Sequence, residues 1–185
     1  MRHNSTQHAT RTMDVAFFVF NVYGAALTFM TNSDHLKNAT MICAVAWNMI
    51  DVVGTAVVGY NRDKKKKVAR AVDALNAVQL FACTVPAMCY LADSHLVSEA
   101  LATQLAGTSF ALAMLLCLAS DYSGREKFET KDALGMGFAT LGMSLIAAGS
   151  FIANNTTADS INLLGLGIAL TAGLTRLATS FSPQA

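Results

Sequence analysis

An all-α integral membrane bundle of six transmembrane helices, with both ends on the cytoplasmic side and short loops, is the fold that the sequence predicts. Composition, block length and the placement of the basic residues predict it. Of the 185 residues, 54% are hydrophobic and 14% charged, with a mean hydropathy of +0.42. An ordinary soluble domain carries about 25% charged residues. The apolar residues are gathered into blocks of roughly 18–22 residues, which is the length that crosses a ~30 Å hydrocarbon core. With the N-terminus inside, every basic residue except Lys37 falls in a cytoplasmic segment or at the cytoplasmic end of a block. This pattern obeys the positive-inside rule and requires an even number of spans.

The first block, Met13–Met30, follows a polar tail, residues 1–12, that holds Arg2 and Arg11. Its apolar run is long and leads to no small-x-small cleavage site, so a retained helix is expected rather than a signal peptide. Asp14 lies near the water interface, and Asp14, Asn21, Ala25 and Thr28 share one side. The second block, Ala39–Tyr60, carries Asp51 near its middle. An ionisable group at that depth costs ~2.5–3.5 kcal/mol on insertion scales, so it needs a protein or water environment. Asn48 and Thr55 lie with Asp51 at helical spacing, with the small Ala44 on the same face, and that stripe is expected to look inward.

The third block, Ala71–Ala92, carries Asp73, Asn76, Gln79, Cys83 and Pro86 along a polar and then irregular face. The fourth, Val97–Ala119, adds Gln104 to the polar interior that the first three blocks can share. The fifth, Ala133–Ala153, and the sixth, Ile161–Phe181, differ in kind, because Gly135 and Ala139, then Gly165, Ala169 and Gly173, make small-xxx-small patterns. Such patterns let helix backbones approach closely in lipid, within the chain in the simpler reading or across a subunit interface in the other. Arg176, near the end of the sixth block, can snorkel to the interface or pair with Asp51. Residues 13–181 thus form a single transmembrane domain, and 182–185 a short C-terminal tail.

The connections are too short to fold as separate domains. The strongest charge feature is the run from Arg62 through Lys64, Lys65, Lys66 and Lys67. It is first a topology determinant and second a contact for anionic lipid headgroups or an acidic partner, at ~1 kcal/mol per basic residue near the surface.

Catalytic chemistry finds little support. All four histidines lie outside the blocks, so no haem or intramembrane metal site can be built on them, and neither cofactor nor metal is expected. The cysteines Cys43, Cys83, Cys89 and Cys117 read as small packing residues. The sequence holds no P-loop, nucleotide fingerprint or nucleophile elbow, and no enzyme or nucleic-acid partner is expected. Val57-Val58-Gly59-Tyr60 has the look of a carbonyl-lined filter but ends a continuous span beside Arg62, where helical carbonyls are already bonded.

Two functions then stand against each other. The first is a polytopic subunit of a larger secretion, respiratory or pore assembly, acting through helix packing with other membrane subunits or copies of itself. The alternative is a small ion- or proton-coupled transporter or channel. There Asp51 is the charge-carrying residue, with Asn48, Asn21, Asn76 and Gln79 along the route. A bacterial cytoplasmic membrane or an organellar membrane suits either.

Overall fold

A computed structural model describes residues 2–28, 34–93, 95–124, 130–152 and 155–181; the side chains of 2–4, 21, 24–28, 34–38, 40, 130–132, 155, 176 and 179–181 lie outside that description. Six helices account for nearly all of it: α1 (Arg2–Thr28), α2 (Asp34–Asn61), α3 (Lys67–Ala92), α4 (Glu99–Gly124), α5 (Thr130–Gly149) and α6 (Asn155–Phe181). No strand occurs among the described residues.

Among the described residues, four stretches are long and apolar enough to cross a membrane: Met41–Asn61, Lys67–Ala92, Glu99–Gly124 and Thr156–Thr175; Ala133–Gly149 is a shorter apolar helix. Their exteriors suit hydrocarbon. Val53, Val78 and Leu164, for example, are 63%, 66% and 58% exposed. Hydroxyls on these helices are satisfied without a partner helix, since Thr108, Thr140 and Thr171 each donate to the carbonyl four residues back.

Each helix packs on its neighbours in sequence, and α6 returns to α1, so the six form a closed ring with α2 also touching α4 across it. The short connections dictate this order, because a tight hairpin leaves consecutive helices side by side. Among the described residues a packed hydrophobic cluster lies between the helices of the ring. Trp47 of α2 stacks on Phe110 of α4 at 4.3 Å between ring centroids and meets Phe17 of α1 edge-on at 5.5 Å. Met143 and Ala139 of α5 and Ala169 and Ala172 of α6 complete that core.

Three local features differ from the sequence reading. The polar segment 2–12 is helical and continuous with the first block, with Thr10 and Thr12 bonding back to the carbonyls of Thr6 and His8. Pro86 does not interrupt α3, which runs unbroken to Ala92. The small residues of α5 and α6 pack together as expected, but Gly165 meets Gly142 and not Gly135. A Cβ on Gly142 would stand 2.7 Å from both Gly165 O and Ala169 N, so glycine there sets how closely the two backbones cross. Gly135 has open space around it.

A candidate polar site between α2, α3 and α4

Helix α3 buries Asp73, Asn76, Leu80, Thr84 and Ala87 along one face. Helix α2 buries Asn48, Asp51 and Thr55, and α4 buries Ser109 and Ser120. Where these faces meet, polar side chains form a seam that begins at the α2–α3 turn and climbs to the middle of the helices.

At the turn end lies an ionic node. Arg62, just past α2, donates Nε–H to Asp73 Oδ2 at 2.7 Å. Its Nη2 reaches Asp73 Oδ1 at 3.4 Å and Ser120 Oγ at 2.8 Å. The Ser120 hydroxyl makes a short hydrogen bond to Asp73 Oδ1. A second carboxylate, Asp121, stands 3.7 Å from Arg62 Nη2. The node exists because two glycines make room for it. A Cβ on Gly59 would press within 2.8 Å of the Asp73 Cβ, and one on Gly124 would occupy the space of the Arg62 guanidinium. Planar, bidentate pairing of this sort is the strong form of an ion pair. It also satisfies the Asp73 carboxylate, which is 5% exposed and would be costly to leave unpaired.

One turn further along α3, Asn76 donates to Cys117 Sγ at 3.4 Å and accepts from Gln79 Nε2 at 3.0 Å. Gln79 Nε2 also reaches the Ser109 carbonyl, and Asn48 Nδ2 reaches Ser109 Oγ, both at 3.4 Å. Two side-chain amides on two helices therefore converge on one serine of a third. Their carbonyl oxygens, Asn48 Oδ1 and Gln79 Oε1, are buried and have no hydrogen-bond partner among the described residues, and neither has the indole N–H of Trp47, next in sequence to Asn48. Most buried polar atoms find partners, so the two unfilled amide oxygens beside Ser109 are a departure that asks for a reason. Beyond this level the seam is closed by Met41, Ala87 and Ala102, with Val45, Tyr90 and Leu91 against them.

Of the residues singled out in the sequence, Asn48, Asn76 and Gln79 come together here. Asp51 lies on the same face of α2, 7% exposed, one turn from Asn48. Thr55 turns toward α1 and bonds Met13 Sδ at 3.9 Å, and Asp14 is buried as well. The side chains of Asn21 and Arg176 lie outside the described residues, and the expected Asp51–Arg176 pair lies outside them with Arg176. Gln104 lies away from the seam and donates to Ser150 O beside α5. Gly59 is helical and its carbonyl accepts from Arg70, which leaves no filter in that segment.

The four lysines from Lys64 to Lys67 lie at the surface of the α2–α3 turn or at the start of α3, and Arg62 turns inward from them. Sequence reading missed the contribution of α4. Ser109, Cys117 and Ser120 follow at i, i+8 and i+11, which is one face of a helix, but single hydroxyls and thiols in an apolar block carry too little polarity to stand out.

Comparison with protein families, curated proteins and solved structures gives no match. The site therefore rests on its own chemistry.

Proposed function

We propose that the chain is a small membrane transporter or channel for protons or a monovalent cation, spanning the bilayer six times with both ends in the cytoplasm. Its inner end would then be the α2–α3 turn. The observation that carries this reading is the convergence of Asn48 and Gln79 on Ser109, with unfilled carbonyl oxygens at mid-helix and Asp51 one turn away. Neutral oxygens of this kind replace the hydration shell of a cation or order a short chain of water, and a nearby carboxylate supplies the compensating charge. The seam is closed at both ends, by the Arg62–Asp73–Ser120 node and by the Met41–Ala87–Ala102 cluster, as expected of an occluded state.

Purified protein in liposomes tests the proposal directly. An imposed proton or potassium gradient should dissipate faster than in protein-free vesicles, and Asp51→Asn should remove the excess. Liposomes that stay as tight as protein-free ones would end the reading.

A second reading, a packing subunit of a larger assembly, draws on Gly135, Gly137 and Gly167, around which a Cβ would meet nothing within 4 Å. Open small-residue faces suit a neighbouring helix. Gentle extraction and sizing discriminates the two, since a large stable complex of defined partners favours the subunit and a lone chain or small homo-oligomer favours the transporter.

A further inference from the structure

The α2–α3 turn holds a second feature that the transport reading does not use. Tyr60, Asn61, Arg62, Asp63, Lys64 and Arg70 line a cavity of about 370 Å³ at the end of the bundle. Its walls are basic in excess, three cations against the single carboxylate of Asp63. Asp63 is partly engaged, because it accepts from the backbone N–H of Lys65 at 3.0 Å and shapes the turn. Arg70 is held across the cavity by its bond to Gly59 O at 3.3 Å, and Arg62 by Asp73 and Ser120. Arg62 and Arg70 are thus fixed by the fold on the cavity wall, the Arg62 guanidinium turned toward Asp73, and Lys64 is exposed beside them.

We infer that this cavity binds the phosphate of an anionic lipid headgroup. Phosphate chemistry follows from the donors, since guanidinium forks and an ammonium suit its oxygens. The lipid source follows from the rim. Tyr60 closes the apolar stretch Met41–Asn61 and is 73% exposed, and Val68 opens the stretch Lys67–Ala92 and is 67% exposed. An exposed tyrosine on the wall of a basic notch, with an exposed valine at the start of the next helix, fits the headgroup level, where aromatic side chains and basic residues gather. A soluble anion would have no use for that apolar rim.

The site stands apart from the transport reading, since a chain that conducts nothing would still bind the lipid there. Arg62 joins the two, because its side chain lines the cavity while its guanidinium holds Asp73 at the base of the seam.

Binding of short-chain phosphatidylglycerol, phosphatidylcholine and inorganic phosphate to the purified full chain in neutral detergent, read by native mass spectrometry and by the shift in melting temperature, tests the inference. Phosphatidylglycerol should bind and stabilise, and the other two should not. Lys64→Gln should weaken binding about fivefold, as expected for loss of one basic contact near the surface, and Arg70→Gln by at least as much. Lys65→Gln with Lys67→Gln, which removes two charges from the same turn but none from the cavity, should have a smaller effect than Lys64→Gln alone. Equal loss in that double variant would overturn the cavity in favour of a diffuse basic surface. Equal binding of inorganic phosphate would overturn the lipid source, and equal binding of phosphatidylcholine would overturn the phosphate-charge basis altogether. Lys64→Gln alters an exposed side chain, so the test does not depend on a variant that disturbs folding.

Discussion

Arg62 decides the most at the scale of single residues. Its guanidinium touches Asp73 and Ser120, lies 3.7 Å from Asp121, and crosses the space left by Gly124. Removing one member of such a mostly buried pair strands the other charge, at about 3 kcal/mol. Arg62→Met should therefore lower the melting temperature of the detergent-solubilised protein markedly. Adding Asp73→Leu to it should recover much of the loss, and a double variant less stable than the single would disprove that the cost is the stranded charge. Asn76 gives the contrast. Hydrogen bonds between helices in a bilayer average ~0.6 kcal/mol, so Asn76→Leu should shift stability by no more than about 1 kcal/mol while reducing flux through the seam. A large stability loss with flux intact would make Asn76 a structural residue only.

Among the elements, the α5–α6 pair shows what glycine does in this bundle. At Gly142 a side chain would push against backbone atoms of α6, which cannot yield as a flexible side chain could. Gly142→Leu should cost about 1–3 kcal/mol through overpacking. Gly167, on the open side of α6, has nothing within 4 Å of its would-be Cβ. Gly167→Ala should be neutral, or stabilising by up to about 1 kcal/mol through helix propensity. Thermal unfolding of both variants checks the pair, and equal losses would mean that the close crossing is not what glycine serves. The six helices and their order were legible in the sequence, because block length and short loops leave a chain in lipid few alternatives. The inward stripe of α2 was legible too, since Asn48, Asp51 and Thr55 are individually expensive to expose. The α4 wall of the site was not, because Ser109 and Ser120 gain their meaning only from Asn48, Gln79 and Arg62 on other helices. Gly142 was missed for the same reason. A close crossing depends on the register between two helices, and neither sequence alone contains it.

Taken whole, the molecule sets an apolar exterior around a ring whose interior is divided. An aromatic plug of Trp47, Phe17, Phe20 and Phe110 fills the centre, and the polar seam runs beside it between α2, α3 and α4. On the transport proposal, an aromatic centre with an off-axis seam suits a proton or a bare monovalent cation better than a larger solute. The measurement that tests this most directly is gradient-driven flux into liposomes of uniform orientation, comparing the natural chain with Asp51→Asn at matched reconstitution. A proton or monovalent-cation flux well above the protein-free leak is expected, lost in the variant although the variant folds. No flux from either, or the same flux from both, would contradict the transport proposal.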